Sequence, residues 1–284
     1  YDENKFLADD YRDRDDYTLE EMVDAYSISE NELIEMNNFC DENEIECTST
    51  PFSKEEVDFL VDKLNVPFIK IASMDLNNYP FLEYVANKQK PIVMSVGLSE
   101  LHEIDRAIKT IEMTGNKELI ILHCIALYPT KDEDVHLNNI DTFKKLYPYP
   151  IGFSDHSLGY SIPLASVVKG VCLIEKHFTL DKNMEGWDHK VSMTPDELKI
   201  ISSESKRISK ALGTTRIVSP EDELKKKEFR RSIVATRDLK AGHIIEQKDL
   251  VAKRPGTGIT PGEINYIIGR TLKNDIDEDT LFQW

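Results

Sequence analysis

Residues 150–178 read PIGFSDHSLGYSIPLASVVKGVCLIEKHF, and two short apolar runs in this stretch decide the fold. The runs are PIGFSDH (150–156) and VCLIEKHF (171–178), and each stays nearly continuous in hydrophobicity until polar or charged residues close it. Parallel strands that are covered on both faces have this pattern. The sequence therefore predicts two parallel strands with polar residues at their carboxyl ends.

The same unit recurs between residues 44 and 212, where short β-like runs alternate with helical patterns. The other runs are EIECTST (44–50), PFIKIAS (67–73), PIVMSV (91–96) and LIILHCI (119–125). Between the runs, apolar residues at steps of three and four predict helices that end before Gly115 and Gly213. Repeated β–α units predict a parallel sheet, either open or closed into a barrel.

Polar residues favour the barrel, because they collect at the carboxyl end of nearly every predicted strand, the face that carries the active sites of (β/α)8 barrels. They are Thr48, Ser49, Thr50, Lys70, Ser73, His123, Ser154, Asp155, His156, Lys176 and His177. An open doubly wound sheet would concentrate them at one switch point and would usually carry a Gly-rich phosphate loop, which the sequence does not show. Since we count six units and the polar start of the chain has no strand signal, we predict an α/β chain with a TIM-type (β/α)8 barrel over 1–212 that lacks its first two strands.

The pattern changes after residue 212. Residues 213–228 (GTTRIVSPEDELKKKE) are polar and predict a linker. Residues 229–284 have short strands and frequent glycines, which indicates a small, mostly-β domain.

Composition excludes several classes of protein. The net charge of −17 argues against nucleic acid as a partner. No apolar run approaches the roughly 18 residues of a membrane span, and no secretory signal opens the sequence. We expect a cytoplasmic protein whose four cysteines are reduced and show no paired spacing, with Cys124 and Cys172 buried in strands.

The run VCLIEKHF carries the first chemical signal. Alternation places Glu175 and His177 on one face of the strand and Lys176 on the other. Two histidines at neighbouring strand ends, His156 and His177, can converge on one cation, and an oxygen-rich remainder of the shell favours Mn or Mg. The ordinary alternative is a hydrogen-bonded core pair. A hydrolase triad of Ser154, Asp155 and His156 is disfavoured, because consecutive side chains diverge.

Lys70 and Ser73 at another strand end suggest a phosphate site, with the lysine as a compact point charge. A Schiff-base lysine is the second functional interpretation, and a solvated surface lysine is the ordinary one.

Several motifs, in their order and spacing, resemble the catalytic barrel of the N-acetylneuraminate (sialic acid) synthases and related nonulosonic acid synthases. The motifs are KIASMDLNNYP (70–80), LHCIALYPT (122–130), GFSDHSLG (152–159) and IEKHFTLDKNMEGWDHKVSMTPDEL (174–198). The segments RRSIVATRDLKAG (230–242) and KRPGTGI (253–259) resemble the C-terminal antifreeze-like (SAF) domain of that family.

The resemblance implies a role for individual residues. A divalent metal, Mn or Mg, is held by His156 and His177, and Asp75 is the carboxylate that handles protons, at a position where a Glu is common. The phosphoenolpyruvate site matches Thr50, Lys70, Ser73 and Ser154. The acceptor sugar is held by Tyr128, Asp188 and Phe229, and Arg254 crosses to the site of the partner subunit in a homodimer with swapped SAF domains.

The implied reaction condenses phosphoenolpyruvate with an open-chain amino sugar, N-acetylmannosamine or a related six-carbon sugar. Carbon 3 of phosphoenolpyruvate attacks the sugar aldehyde, water adds at carbon 2, and phosphate leaves. The chain departs from the family in three ways: its opening strands are absent, Ala126 replaces a polar residue, and EGWDH places Trp187 beside Asp188. The acceptor therefore stays open among the precursors of sialic, legionaminic, pseudaminic and other nonulosonic acids.

Two alternatives remain. One is a Schiff-base aldolase that uses Lys70 or Lys176. The other is an inactive relative that binds a sugar or a partner.

Overall fold

A computed structural model describes residues 26–184, 188–215 and 223–283. The chain forms two compact units, Tyr1–Gly213 and Thr214–Trp284. None of the described helices is both long and apolar enough to cross a membrane.

The described part of the first unit is a parallel sheet with helices between its strands. The strands are β1 (Ile69–Ile71), β2 (Ile92–Ser95), β3 (Leu119–Cys124), β4 (Ile151–Asp155) and β5 (Ile174–Lys176). The helices are α1 (Glu30–Glu42), α2 (Lys54–Asp58, continued by a π-helical turn Phe59–Lys63), α3 (Tyr79–Asn87), α4 (Leu101–Met113), α5 (Asn138–Leu146), α6 (Ser161–Val168) and α7 (Pro195–Leu212). Strand order follows the chain, β1-β2-β3-β4-β5, and every neighbouring pair is parallel.

The sheet is strongly curled. In a flat sheet the edge strands β1 and β5 would lie roughly 19 Å apart, four strand spacings. Lys70 Nζ on β1 nevertheless lies 3.7 Å from Glu175 Oε2 on β5. These two side chains can meet only if the sheet bends into part of a barrel wall, and the predicted α/β barrel-type fold class is confirmed.

Strand alternation separates an outer face, which packs against the helices, from the inner face that carries Lys70. Residues on either side of the inward Lys70 pack with the helices in a continuous core. The strands contribute Ile69, Ile71, Ile92, Met94, Leu119, Ile121 and Ile151, and the helices contribute Leu82, Val85, Ile104, Ile108, Ile111 and Ile140. The outer face therefore supplies the hydrophobic stabilisation and leaves the inner face free for polar groups.

The helix ends agree with the sequence patterns. After α4, Gly115 takes a φ of 86°, and after α7, Gly213 takes a φ of 53°, a region that favours glycine. Helix α7 begins with a capping box in which Thr194 and Glu197 exchange side-chain and backbone hydrogen bonds, and Pro195 occupies its first turn.

Two predictions are wrong. Residues 45–50 have no regular secondary structure, so the sheet has five strands in the described residues rather than six. Ile45 is exposed, and Thr48 Oγ1 fixes the segment by donating to Phe68 O at 2.7 Å. Cys172 is exposed, because β5 begins only at Ile174. His123 lies near the carboxyl end of β3, as predicted; its Nε2 lies 2.7 Å from Val135 O and its ring stacks on Phe153.

The second unit is mostly β, as predicted. Helix α8 (Glu223–Phe229) occupies the end of the predicted linker, and β6 (Ser232–Ala235) pairs antiparallel with β7 (Leu250–Lys253), followed by the short α9 (Ile264–Ile267). Its core is built around Ile233, Leu239, Ile245, Ile259 and Phe282.

The core assignment predicts a large effect at Ile121 and a small one at Met113, which is 88% exposed. Ile121→Ala should lower the free energy of unfolding by about 2–5 kcal/mol, because it leaves a cavity between the sheet and the helices. Met113→Ala should change it by less than about 0.5 kcal/mol. Urea unfolding followed by circular dichroism measures both, and equal effects of the two changes would contradict the assignment.

Candidate active site

Lys70 is a buried cation on the inner face of the curled sheet. Its Nζ donates to Ser95 Oγ at 2.8 Å and to Ile71 O at 2.9 Å, and Glu175 lies on its other side. Burial lowers the pKa of Lys70, while the negative charge of Glu175 acts in the opposite direction. The side chain is 11% exposed, so a small anion that reaches this amine would meet a poorly screened charge.

Two further hydroxyl groups lie on the same inner face as this lysine. Ser154 Oγ donates to Glu175 Oε1 at 2.7 Å, and Ser73 Oγ accepts from Gly97 N at 3.0 Å. Ser73 also lies 3.6 Å from the thiol of Cys124. The structure thus brings Lys70, Ser73 and Ser154 to one inner face, as their positions at strand ends suggested.

Sequence reasoning missed Ser95 and Cys124 as members of this group. Both close a strand, Ser95 at the end of β2 and Cys124 at the end of β3. The rule that selected Lys70 and Ser154 would have found Ser95, had it been applied to PIVMSV (91–96). Cys124 carried no such signal, because a cysteine in an apolar run is usually a core residue.

His156 and His177 meet at the carboxyl ends of β4 and β5, with ring centroids 5.2 Å apart. His156 Nδ1 lies 2.8 Å from Ile125 O, and because a carbonyl only accepts, this nitrogen must be the donor. His177 Nδ1 faces Asp188 Oδ2 at 3.4 Å. In both rings Nδ1 is turned to an oxygen, so Nε2 is the nitrogen left for a ligand.

These two rings fit the predicted metal. Two imidazoles that bind one ion through nitrogen at about 2.0–2.3 Å have centroids roughly 5 Å apart, which the observed spacing matches. Within the described ranges no cluster of three or more His, Cys, Asp or Glu side chains could hold an ion. The described residues would therefore supply two ligands and leave the other positions to water or substrate oxygens, as in an open catalytic site.

Tyr128 lies against both histidines, with its ring centroid 4.2 Å from His156 and 5.5 Å from His177. Burial, reinforced by the nearby Cys124 and Asp188, raises the pKa of Tyr128 to about 12. Its hydroxyl therefore stays protonated at neutral pH and can donate a hydrogen bond to a ligand.

The remaining predicted residues stand on other elements. The carboxylate of Asp75, on a 3-10 turn after β1, accepts from Asn78 Nδ2 at 3.1 Å, and Thr50 is half-buried just before α2. Phe229 and Arg254 belong to the second unit, where the guanidinium lies 5.1 Å from the centre of the Phe229 ring. Trp187 lies outside the described residues.

A buried ammonium group, paired histidines and a neutral tyrosine at the carboxyl ends of parallel strands define an α/β barrel protein with a polar ligand site. The chain belongs to the NeuB family, whose model matches residues 2–216, and residues 230–284 match the SAF domain.

Similar proteins support this assignment. An uncharacterised protein of Methanocaldococcus jannaschii is 43% identical over 93% of this chain and 78% of its own length. The N,N'-diacetyllegionaminic acid synthase of Legionella pneumophila is 37% identical over 94% of this chain and 76% of its own length. The solved N-acetylneuraminic acid synthetase of Leptospira borgpetersenii superposes with a TM-score of 0.69 at 30% identity, covering 79% of this chain and 75% of that one.

The histidine geometry predicts one Mn²⁺ site per chain. His156→Ala and His177→Ala should each weaken Mn²⁺ binding at least about tenfold, because each removes one of two protein ligands. The control is His102→Ala, which changes a histidine whose side chain is 76% exposed. This variant should bind Mn²⁺ with the affinity of the unaltered protein. Titration of the electron paramagnetic resonance signal of free Mn²⁺ measures the affinities, and full binding by either site variant would refute the shared site.

Proposed function

We propose that this chain condenses phosphoenolpyruvate with the open-chain form of an N-acetylated amino sugar, giving a nonulosonic acid and phosphate. The observation that carries the proposal is one polar inner face with the buried ammonium of Lys70 near one end and the paired rings of His156 and His177 at the other. The family supports it as well, since two of the similar proteins named above are an N,N'-diacetyllegionaminic acid synthase and an N-acetylneuraminic acid synthetase.

The lysine end suits phosphoenolpyruvate. Lys70 is a compact positive charge for the phosphate or carboxylate, and Ser73 and Ser154 add hydroxyl groups within the same pocket wall. These groups hold the enol phosphate in one orientation, and their fixed dipoles stabilise the negative charge that develops when the phosphate departs.

The histidine end suits the sugar. A divalent ion, Mn or Mg, held by His156 and His177 would supply Lewis-acid polarisation of the aldehyde. Tyr128 and Asp188 stand beside the two rings and can donate to and accept from sugar hydroxyl or amide groups.

In the proposed reaction the π electrons between carbons 2 and 3 of phosphoenolpyruvate form a bond from carbon 3 to the aldehyde carbon. The carbonyl π bond breaks, and its oxygen takes the electron pair and a proton to become a hydroxyl group. Water adds at carbon 2, and the bond from carbon 2 to the phosphate oxygen then breaks, so phosphate carries away the electron pair. Asp75 is proposed to handle the proton of the water, from its position on the turn that follows β1.

A Schiff-base aldolase remains the second candidate, because burial lowers the pKa of Lys70 and thereby favours a nucleophilic amine. Lys176 is a poor candidate for this role, since its amine is engaged by Asp155 Oδ2 and Ser157 O, both at 2.6 Å. Borohydride reduction in the presence of pyruvate separates the two reactions: an aldolase gains the mass of a reduced imine at Lys70, and the proposed synthase does not.

The proposal predicts products that mass spectrometry can identify. With phosphoenolpyruvate, Mn²⁺ and a panel of N-acetylated mannosamine-type and diacetamido sugars, one sugar should give an acid with the mass of both substrates plus water minus phosphate. One mole of phosphate should be released for each mole of this acid that forms.

Lys70→Met tests the assigned phosphoenolpyruvate end. It should lower kcat/KM for phosphoenolpyruvate by roughly 100-fold, because a fixed charge on the departing group is lost. The matched control Lys109→Met removes an exposed lysine on α4 and should leave kcat/KM unchanged. Turnover with none of the sugars by the unaltered chain would contradict the proposed reaction, and unchanged kinetics in Lys70→Met would contradict the assigned end.

We also propose that Arg254 serves the site of a partner subunit in a homodimer with swapped SAF domains. Support comes from the SAF match and from the guanidinium, whose fixed fork suits a sugar carbonyl or hydroxyl. Arg254→Ala should raise KM for the sugar far more than KM for phosphoenolpyruvate. Mixed with His177→Ala it should recover part of the activity, because some mixed dimers carry one intact site, and no recovery despite proven subunit exchange would refute the swap.

A further inference from the structure

A buried ion pair lies immediately behind the two histidines. Lys176 Nζ and Asp155 Oδ2 are 2.6 Å apart, and their side chains are 2% and 1% exposed. The two residues are direct partners in the β4–β5 register, and each is followed in the chain by one of the histidines, His156 and His177. The pair therefore joins the two strands at the last position before the candidate metal ligands.

The same two side chains also hold the backbone that leaves β4. Asp155 Oδ1 accepts from Ser157 N at 2.9 Å, and Lys176 Nζ donates to Ser157 O at 2.6 Å. Both peptide groups that flank Ser157 are thus tied to the pair. His156, between Asp155 and Ser157, has little freedom to move relative to β5.

Alternation keeps the pair out of the reaction itself. Glu175 faces Lys70 and Ser154 on the inner face, so Lys176, the next residue of the strand, turns to the opposite side. With almost no exposed surface, neither Asp155 nor Lys176 can touch a substrate. Whatever they contribute acts through the two histidines.

Stability alone is a weak reason for such a pair. Removing two charges from water is costly, and well-packed apolar residues of similar volume often replace a buried ion pair without loss of stability. An apolar pair would lack the two hydrogen bonds to Ser157, and with them the control over the turn that carries His156. An apolar pair could fill the same buried space, but only the charged pair can fix the geometry of this turn.

We infer that Asp155 and Lys176 are positioning residues, which fix the turn 155–157 against β5 and thereby set the spacing and the ring orientation of His156 and His177. The inference rests on the proposed function in one respect, namely that His156 and His177 bind a common ligand. Interactions that orient metal ligands in this way commonly change metal affinity by about 10–100-fold when they are removed.

The test compares two double variants of the full chain. Asp155→Leu with Lys176→Met replaces the pair by apolar residues of similar size. Asp141→Leu with Lys169→Met is the matched control, an ion pair of 2.7 Å between α5 and the end of α6 that lies at half-exposed positions. Urea unfolding shows first that both variants fold.

Ring spectra of the metal-free protein give a readout that does not depend on activity. Long-range ¹H–¹⁵N spectra, assigned with His156→Ala, should show a fixed Nδ1–H tautomer for His156 in the unaltered chain, since that nitrogen donates to Ile125 O. In the Asp155/Lys176 variant the ring signals should shift towards averaged tautomers, and Mn²⁺ affinity should fall by about 10–100-fold. The Asp141/Lys169 control should match the unaltered chain in both.

Each outcome decides the inference. A folded Asp155/Lys176 variant with unaltered ring spectra would overturn it, because the pair would then be structural only. An unaltered chain that binds no Mn²⁺ would remove the proposed metal, while the spectra would still decide whether the pair positions the rings. If the apolar variant does not fold, the same ring spectra and Mn²⁺ affinity are measured for Asp155→Asn, because the single side-chain oxygen of Asn cannot replace both carboxylate oxygens.

Discussion

The curl of a short parallel sheet is the constraint on which the candidate site depends. Lys70 on one edge strand reaches Glu175 on the opposite edge strand, a contact that a flat sheet of five strands would not allow. Because all five strands run in the same direction, the curl brings their carboxyl ends together. Lys70 with its neighbouring serines and the two histidines are thereby held on one concave surface by separate strands.

The strands can carry charged groups inward because their outer residues stabilise the fold. Ile69 and Ile71 flank Lys70 and are fully buried against the helices, so one three-residue strand serves both the core and the site. The charges are balanced in each layer: Lys70 faces Glu175 on the inner face, and Lys176 faces Asp155 behind it. Buried charges without such partners would be too costly to keep.

Much of this arrangement follows from the sequence. Apolar runs that end in polar residues locate the strands, and period-2 alternation correctly separates Glu175 from Lys176. The hydrophobic pattern predicts strands incorrectly in two short runs. EIECTST (44–50) has too few apolar residues to form a buried strand, and VCLIEKHF (171–178) does not reveal that β5 starts only at Ile174. His123 stands near the carboxyl end of β3 as predicted, but the rule of polar strand ends does not say which face a residue takes, and the contacts of this ring with Val135 and Phe153 come only from the structure.

Contacts between distant segments are the part that no local pattern contains. The hydrogen bond from His156 Nδ1 to Ile125 O and the one from Lys70 Nζ to Ser95 Oγ join residues of different β–α units. The contact between Asp188 and His177 spans eleven residues between β5 and α7. The family resemblance supplied Tyr128 and Asp188 as sugar-site residues, and the structure adds that both lie beside the paired rings.

The central claim is that two strand ends hold one divalent ion between His156 and His177. Crystals soaked in Mn²⁺ and measured at the manganese absorption edge test it most directly. The account predicts a single strong anomalous peak per chain, about 2.0–2.3 Å from Nε2 of both rings. A peak bound to only one of the histidines, or located away from both, would contradict it.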